Sequence, residues 1–392
     1  MIRTGLIGGF LPQSLSGFPA KKINIIAITG TDGKTTSSFL IYQILKAAGK
    51  KVAVITTVAA YIGDDQINTG LHVTSPHPRE LNQLITKMVA QGYHYLVLEI
   101  TSHGIYQFRT WGIKPLIAGL TNITHEHLDY HLTYPNYLRT KAELLRAAEV
   151  AVINKDDQSF APLTKLLNPA QTLTYSHKDR LYTKLSPIIK KRFPAAYNQM
   201  NARLAVSISQ LLQIPNQAIM AGIANFPGVP GRLELVPGKQ KFTVYVDFAH
   251  TPNAVKSVLS FLRSQIKKQK RGRLIAVLGC PGHRDIDKRP LMGLYASQLA
   301  DLAIFTSDDT RTEDIWTIIR QMKEHPDLEY RKVVSMADRR RAMTYALIDQ
   351  AKAGDIVALL GKGHEQSLAI GKVEIPWSDK VVAQEILGEK SQ

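Results

Sequence analysis

The fold of this chain is decided by one stretch, Ile26-Ala27-Ile28-Thr29-Gly30-Thr31-Asp32-Gly33-Lys34-Thr35-Thr36. The apolar run from Ile23 to Ile28 predicts a buried strand, and apolar residues at helical spacing after Gly33 predict a helix. A strand, a glycine-rich loop and a helix bring backbone N–H groups and a helix amino terminus against a phosphate. The first glycine of the general phosphate-loop pattern would fall at Ile28, so the match is incomplete. A plain turn rich in glycine and threonine is the alternative, but the flanking strand and helix favour a nucleotide site.

The composition is that of a globular enzyme with more than one domain. At 392 residues, with 44% hydrophobic and 21% charged residues, the chain is too long for one ordinary core. Its single cysteine, Cys280, excludes an internal disulfide and fits a reducing cytoplasm. No apolar run reaches the roughly 18 residues that a membrane span needs. The stretch from Met1 to Ala20 also lacks the apolar block that is typical of a signal peptide.

The net charge of +17 indicates an anionic partner. That partner is either a nucleic acid or a polyanionic small substrate. The aromatic content is only 7%, and no recognised nucleic-acid module is found, so the small substrate is favoured. We therefore expect a cytoplasmic monomer with no nucleic-acid partner and no membrane span.

Apolar runs alternate with amphipathic helices along the first two-thirds of the chain. After the phosphate loop, strands are predicted at residues 51–57, 95–100, 116–123 and 150–154, and helices at 78–91, 134–148 and 201–212. Strands that are almost continuously apolar imply a parallel sheet covered by helices on both faces.

The stretch from Phe226 to Gly231, which contains two prolines and two glycines, predicts a linker. A second alternating series follows it, with strands predicted at residues 242–246, 274–278, 302–306 and 356–360. We therefore predict an α/β fold with a short segment at 1–22 and a central parallel-sheet ATPase domain at 23–231. A Rossmann-like α/β carboxy-terminal domain is predicted at 232–392.

Polar residues are concentrated at the predicted strand ends, where open α/β sheets bind ligands. Glu99 ends one strand, and Asn122 ends another just before His125, His127 and His131. An H-E-x-x-H zinc motif that starts at His125 would need its second histidine where Asp129 stands. Zinc is therefore disfavoured, and hydrogen bonding to loop backbone is the alternative role for these histidines.

Ten blocks of the sequence resemble the Mur ligases, which are ATP-dependent, amide-forming enzymes of bacterial cell-wall synthesis. The blocks are Thr29–Thr36, Glu99–Gly104, Thr121–Asp129, Tyr137–Lys141, Asn198–Asn201, Pro230–Glu234, Asp247–Pro252, Gly279–Pro290, Asp308–Glu313 and Gly361–Glu365. They occur in family order and span most of the chain. The most similar type is the one that adds the third residue of the peptidoglycan stem peptide, the MurE type.

The resemblance implies a reaction in which ATP and Mg²⁺ convert a carboxylate into an acyl phosphate, which an amine then attacks. It implies that Lys34 stabilises the phosphates and that Thr35 and Glu99 hold one Mg²⁺. It further implies that His127 and a carbamate formed on Lys141 hold a second metal ion. The carbamate turns a cation into an anionic oxygen ligand, whereas composition alone would make Lys141 an exposed lysine on an amphipathic helix.

The resemblance also assigns binding residues for three ligands. The nucleotide contacts are Gly30, Thr31, Asp32, Gly33, Lys34, Thr35, Thr36, Asn198, Asn201, Arg232 and Asp247. The contacts to a muramoyl-peptide-like acceptor are Thr74, Ser75, Ser102, Gln107 and Arg109. The contacts to a free amino acid are Asp308, Asp309, Arg311, Gly361 and Glu365.

Two departures from the family pattern concern the substrates. In the family a uridine-gripping domain precedes the phosphate loop, and here about 25 residues do so. The acceptor is then expected to be held differently, to be held with the help of another chain, or to lack the uridine part. The second departure is Asp308-Asp309-Thr310-Arg311, which stands where the diaminopimelate-adding type has Asp-Asn-Pro-Arg.

The amine pocket is predicted to select a dibasic amino acid. Asp308, Asp309 and Glu365 repel one another unless a positive group lies between them, which favours meso-diaminopimelate or lysine. Arg311 favours diaminopimelate, whose second carboxylate it can bind, and the extra charge of Asp309 favours lysine.

Two alternative functions stay open at this point. The first is a Mur-like ligase for another acceptor, such as a folate, a poly-amino acid or a different wall polymer. The second is a non-catalytic nucleotide-binding partner. The presence of Lys34, Glu99, His127 and Lys141 argues against the second, because a binding module does not need both metal sites.

Overall fold

The structure is a computed structural model that describes residues 14, 16–68, 76–124, 126–179 and 184–388. Thr74, Ser75 and His125 lie outside the described residues. The chain forms two compact units. The first contains the described residues up to Thr124 together with His131–Pro227, and the second contains residues 126–130 and the chain from Gly228 onward.

The first unit is built on an eight-stranded sheet with the strand order β4-β3-β2-β5-β1-β6-β7-β8. Its strands are β1 (Asn24–Thr29), β2 (Val52–Ile55), β3 (Ala60–Ile62), β4 (Asp65–Ile67), β5 (Tyr95–Glu99), β6 (Ile117–Leu120), β7 (Val150–Asn154) and β8 (Thr172–Tyr175). All neighbours pair in parallel except β2 with β3 and β3 with β4. The sheet interior is apolar because helices cover both faces, and Ile26, Ala27 and Ile28 of the central β1 are completely buried.

Helices of this part of the chain connect the strands or pack on the sheet. They are α1 (Lys34–Ala47), α2 (Pro78–Ala90), α3 (Ser102–Tyr106), α4 (Leu128–His131), α5 (Tyr134–Ala147), α6 (Phe160–Thr164), α7 (Ser186–Arg192), α8 (Ala196–Leu211) and α9 (Asn216–Ala224). Local sequence sets several of their starts. The Thr133 hydroxyl accepts a hydrogen bond from the Asn136 N–H, and proline at the second position of α5 suits a first turn.

The second unit is built on a six-stranded sheet with the order β13-β12-β11-β14-β10-β9. Its strands are β9 (Glu234–Val236), β10 (Thr243–Asp247), β11 (Leu274–Leu278), β12 (Leu302–Phe305), β13 (Val333–Ser335) and β14 (Ile356–Leu360). Only β9 runs antiparallel to its neighbour. A separate hairpin joins β15 (Ser367–Ile370) to β16 (Val373–Pro376).

The helices of the second unit lie between these strands. They are α10 (Pro252–Gln269), α11 (Lys288–Leu299), α12 (Ile315–Met322), α13 (Arg339–Thr344), which continues as a π-helix (Tyr345–Gln350), and α14 (Asp379–Ile386). Among the helices of the described residues, none combines the length and the apolarity that crossing a bilayer requires.

The predicted α/β fold class is confirmed, since both units contain a mainly parallel sheet flanked by helices. The strand predicted at residues 150–154 is β7, and the helix predicted at 78–91 is α2. Other boundaries differ. The helix predicted from residue 201 begins at Ala196, and the short strands β3, β4 and β8 are not predicted by the sequence pattern.

Candidate active site

The phosphate loop of the first unit requires a glycine at position 33, which caps helix α1. Gly33 has a φ of 82°, in the left-handed region that favours glycine. A Cβ atom at this position would lie 2.2 Å from Asn201 Oδ1, far inside van der Waals contact. The bare backbone therefore lets Asn201 of α8 approach the start of α1, whose first-turn N–H groups are suited to an anion.

The loop is held in place by hydrogen bonds to the carboxyl end of β6. The Thr31 N–H donates to the Asn122 carbonyl over 2.8 Å, and the Asp32 N–H donates to Asn122 Oδ1 over 3.0 Å. The Thr121 hydroxyl donates to the Asp32 carbonyl over 2.7 Å. These bonds hold Thr31 and Asp32 against the sheet, so the loop has one defined shape.

Three side chains at this loop suit Mg²⁺ and phosphate chemistry. Lys34 Nζ donates to the Thr31 carbonyl over 2.8 Å, so its ammonium lies over the loop. The Thr35 hydroxyl donates to Glu99 Oε1 over 3.1 Å, and Glu99 is 1% exposed. Hydroxyl and carboxylate oxygens are the ligands that a hard cation prefers, so this pair fits Mg²⁺.

Thr57, just beyond β2, is a further partner of Glu99 that the sequence analysis did not identify. Its N–H donates to Glu99 Oε2 over 3.1 Å, and its hydroxyl donates to Glu99 Oε1 over 3.1 Å. The sequence does place Thr57 at the carboxyl end of a predicted strand, where open α/β sheets bind ligands, and this position could have indicated its role. The two bonds orient the carboxylate toward Thr35.

Lys141 of α5 is buried, with 1% exposure, and is not the surface lysine that composition alone would suggest. Its Nζ donates to the Gly30 carbonyl over 2.8 Å and lies 4.6 Å from the centre of the Tyr137 ring. The Tyr137 hydroxyl is in turn 3.1 Å from Thr31 Oγ1. Residues predicted from separate sequence blocks therefore meet at the phosphate loop within the first unit.

His131 lies beside this lysine. Its ring is 5.1 Å from that of Tyr137 and 5.8 Å from that of His103. Burial, together with the nearby positive charge of Lys141, lowers the pKa of His131 to about 4. His131 is therefore neutral at physiological pH, and its ring packs in the aromatic group around Lys141.

The other predicted binding residues of the first unit occupy two places. Asn201 Nδ2 donates to Asn198 Oδ1 over 3.2 Å on the helix next to Gly33. Ser102 is buried at the start of α3, and Arg109 Nε donates to Gln107 Oε1 over 2.8 Å just beyond the end of that helix. Asn198 and Asn201 therefore lie beside the phosphate loop, and Ser102, Gln107 and Arg109 lie on or just beyond α3, the helix that follows Glu99.

In the second unit, Arg232 and Asp247 lie near the end of β10. Both Asp247 oxygens accept backbone bonds, from the Leu233 N–H over 2.6 Å and from the Ala249 N–H over 2.8 Å. The Arg232 guanidinium lies 4.4 Å from the centre of the Phe248 ring and 3.3 Å from His364 Nδ1. Asp247 therefore organises the loops at this sheet edge, while Arg232 extends over an aromatic surface.

The carboxyl ends of β12 and β14 bring together the residues predicted for the amino acid. Asp308 and Asp309 follow β12, and Gly361 follows β14. A Cβ atom on Gly361, whose φ is 107°, would lie 2.6 Å from Asp308 Oδ2, so only glycine fits there. Arg311 Nη1 donates to the Gly282 carbonyl over 2.6 Å, and the Arg311 N–H donates to the Ala369 carbonyl over 3.0 Å.

Lys362 occupies the centre of the three carboxylates. Its Nζ lies 2.7 Å from Asp309 Oδ1, 2.6 Å from Glu365 Oε2 and 3.9 Å from Asp308 Oδ1. These carboxylates also have the spacing of a metal-binding group, but an ammonium already lies among them. The argument that they need a cation from the substrate is therefore wrong, because Lys362 supplies a positive charge from within the chain.

His127 belongs to the short segment 126–130 that groups with the second unit. Its φ is 57°, and its Nδ1 lies 3.8 Å from Glu126 Oε1. Glu126 also pairs with Lys288 Nζ over 3.1 Å, and both side chains are 3% exposed. Burial alone would lower the pKa of Lys288, but Glu126 raises it, so the lysine stays charged. Like Lys362, Lys288 is a buried cation that the sequence pattern did not single out.

Known proteins resemble the chain over most of its length. Two family models match the chain, one described as the Mur ligase middle domain over residues 28–211 and one as the Mur ligase, glutamate ligase domain over residues 231–363. The chain is 36% identical to the UDP-N-acetylmuramoyl-L-alanyl-D-glutamate--2,6-diaminopimelate ligase of Clostridium botulinum, covering 95% of this chain and 80% of that relative.

Solved structures show the same likeness. One of them is the structure of a protein with that same name, whose sequence is 29% identical to this chain. The two structures match with a TM-score of 0.60 over 97% of this chain and 82% of the other. The folylpolyglutamate synthase of Mycobacterium tuberculosis has a TM-score of 0.71 at 16% identity, with 99% and 96% of the two chains covered. At that identity the second likeness concerns the fold alone.

Proposed function

The chain belongs to the Mur ligase family, and from this premise we propose that it joins 2,6-diaminopimelate to the carboxylate of UDP-N-acetylmuramoyl-L-alanyl-D-glutamate or a closely similar muramoyl peptide. It is an ATP-dependent ligase, and Mur ligases use Mg²⁺. We assign ATP to the domain at 23–231 and the amino acid to the domain at 232–392. The product is a precursor of peptidoglycan.

One observation carries the catalytic part of this proposal. Lys34, Thr35 and Glu99 meet at the amino end of α1, with a 3.1 Å bond between the Thr35 hydroxyl and Glu99. This arrangement combines an ammonium for phosphate oxygens with two oxygen ligands for Mg²⁺. The three side chains therefore support transfer of a phosphoryl group from ATP.

The chemistry needs an activated acyl group, since a carboxylate does not react with an amine directly. A carboxylate oxygen attacks the γ-phosphorus of ATP, the bond to ADP breaks, and an acyl phosphate forms. The amine then attacks the acyl carbon, phosphate leaves, and the amine loses a proton. Lys34 exchanges its bond to the Thr31 carbonyl for phosphate oxygens and offsets their charge during the first step. Mg²⁺ held by Thr35 and Glu99 supplies further charge neutralisation when bound.

Lys141 takes part through a carbamate in this proposal. Its neutral amine adds CO₂ and releases a proton, which leaves an anionic group with two oxygens and one N–H. That single N–H is enough for the 2.8 Å bond to the Gly30 carbonyl. The carbamate oxygens are then proposed metal ligands, and the same role, which the family resemblance implies, stays a prediction for the His127 imidazole.

The amino acid is bound at the ends of β12 and β14. Arg311 has donors beyond the one given to the Gly282 carbonyl, and a guanidinium binds a carboxylate in a bidentate manner. Glu365, which also pairs with Lys362, is the proposed acceptor for an ammonium group of the amino acid. The bare backbone at Gly361 leaves room beside Asp308. Ser102, Gln107 and Arg109 are the proposed contacts for the acceptor, together with Thr74 and Ser75.

Phosphate release from ATP tests the proposal. We expect release only when both the muramoyl dipeptide and diaminopimelate are present, with the acceptor supplied with and without its uridine diphosphate. Replacing Lys34 by Ala should lower the rate by about 100-fold or more, because an uncompensated phosphate charge is costly in the transition state. Hydrolysis that never responds to any acceptor and amine would contradict the ligase proposal, and an unchanged rate in the Lys34 variant would contradict the role of the loop.

A further inference from the structure

Lys362 is the most completely buried charged group at the proposed amino-acid site. It has 0% exposure, and its two short contacts are to Asp309 over 2.7 Å and to Glu365 over 2.6 Å. Burial alone would lower the pKa of Lys362, but Asp308, Glu365 and Asp309 together raise it above its ordinary value. The ammonium is therefore a permanent charge among the carboxylates.

Arg339, another buried cation near this edge, has a partner of its own. Arg339 donates to both oxygens of Asp379 over 2.8 and 2.5 Å and to the carbonyls of Ser307 and Leu360. Its charge is thus compensated by Asp379. The group of Asp308, Asp309, Glu365, Lys362 and Arg311 then holds three negative and two positive side chains, so a single negative charge is in excess.

Asp309 and Glu365 differ in how tightly they are held. Asp309 is 5% exposed, and its Oδ1 accepts both from Lys362 and from the Ala369 N–H over 3.0 Å. Glu365 is 16% exposed and is thus the more accessible of the two to a ligand. Asp309 is therefore a buried carboxylate whose charge Lys362 balances at close contact, whereas Glu365 is the carboxylate that a ligand can reach.

We propose that Lys362 is a specificity-determining residue: it cancels the charge of Asp309, so that the site accepts an amino acid whose far end carries a second carboxylate. This inference rests on the proposed function. Without Lys362, Asp309 would repel that second carboxylate, and the site would favour an amino acid with an ammonium alone at its far end. Asp309 therefore does not by itself select lysine, because its charge is cancelled within the chain.

The test compares kcat/KM for diaminopimelate and for lysine in four proteins. These are the parent, Lys362→Met, Asp309→Asn and the double variant Asp309→Asn/Lys362→Met. In Lys362→Met we expect the ratio of diaminopimelate to lysine to fall by about tenfold or more, because the uncancelled charge of Asp309 would repel the second carboxylate of diaminopimelate. The ratio should rise in Asp309→Asn, and the double variant should return to within about threefold of the parent, because its net charge is the same.

Lys380→Met is the matched control. Lys380 pairs with Glu234 over 2.8 Å, is 40% exposed and belongs to the same unit. We expect the substrate ratio of this control to equal that of the parent. A purely structural role for Lys362 would change the amount of folded protein but leave the ratio constant.

The outcomes are distinguishable. A parent that uses neither amino acid contradicts the proposed function and this inference with it. A parent that uses diaminopimelate, with the same ratio in every folded variant, contradicts only the role of Lys362. If Lys362→Met does not fold, Asp309→Asn and the double variant decide: equal ratios in these two proteins overturn the proposal, and a lower ratio in the double variant supports it.

Discussion

The Thr35 hydroxyl donates a 3.1 Å hydrogen bond to Glu99, a carboxylate that is 1% exposed and lies 64 residues further along the chain. Two central strands produce this contact, because β1 leads into the phosphate loop, and its parallel neighbour β5 ends at Glu99. A buried carboxylate beside a hydroxyl provides oxygen ligands with a net negative charge. The pair is thus the basis of the proposed Mg²⁺ site.

Glu99→Gln keeps the size of the side chain and removes its charge. We expect the rate of phosphate release to fall by about 100-fold or more, and the Mg²⁺ concentration that gives half of the maximal rate to rise. A Mg²⁺ titration of substrate-dependent phosphate release measures both effects. Glu149→Gln, at a glutamate that is 54% exposed, is the control and should match the parent. An unchanged Mg²⁺ requirement in Glu99→Gln would show that Glu99 is not a metal ligand.

The proposed carbamate on Lys141 can be tested with two variants at this position and one control. Lys141→Ala should lose most activity and regain part of it when a small carboxylic acid is added, since the acid supplies the missing anionic oxygens. Lys141→Arg should be inactive as well, because arginine keeps a positive charge and forms no carbamate. Lys114→Arg, at a side chain with 72% exposure, is the control. Full activity of Lys141→Arg would mean that a cation is all that the reaction needs.

Two neighbouring arginines allow a comparison of buried and exposed ion pairs. Arg339 and Asp379 are both 0% exposed, whereas Arg340 and Glu385 are 52% and 41% exposed. Asp379→Asn leaves a buried guanidinium without its counter-ion, so we expect the free energy of unfolding to fall by about 3–5 kcal/mol. Glu385→Gln should change it by less than about 1 kcal/mol. Urea unfolding followed by intrinsic fluorescence measures both, and equal losses would contradict the buried-pair argument.

His131 predicts how stability depends on pH. In the folded protein without a carbamate on Lys141, the pKa of His131 is lowered to about 4, chiefly by burial and further by the Lys141 ammonium, whereas the unfolded value is near 6.5. The folded state binds a proton at His131 less well than the unfolded state does. The contribution of neutral His131 to the free energy of unfolding is therefore complete above pH 6.5 and is lost as the pH falls toward 4. Relative to His131→Gln, the parent should lose up to about 3 kcal/mol across that interval. Parallel stability curves for the two proteins would show that His131 does not titrate in this way.

The sequence by itself determined the central strands and the phosphate loop. Strands β1, β7, β11 and β14 are buried on both faces, and such strands appear in the sequence as continuous apolar runs. The sequence also determined that Lys34, Thr35 and Glu99 are near one another, because parallel strands end at a common sheet edge.

Short edge elements depended on tertiary pairing. Strands β3 and β4 have only three residues each, and β4 has no buried residue, so neither leaves an apolar run in the sequence. They form because β3 pairs with β2 and β4 pairs with β3. Helix α8 likewise begins at Ala196, through a polar stretch that contains Asn198 and Gln199, ahead of the apolar positions that predicted it.

Only the tertiary structure decided which charge balances which at the amino-acid site. The sequence determined that Asp308, Asp309 and Glu365 are present there, and it suggested that a cationic substrate lies between them. Asp309 and Lys362 are 53 residues apart, and they meet because β12 and β14 flank β11 in one parallel sheet and end at the same edge. The charge of a side chain follows from its residue type, which the sequence gives. Whether that charge is balanced depends on every charged group that the fold brings within a few ångströms.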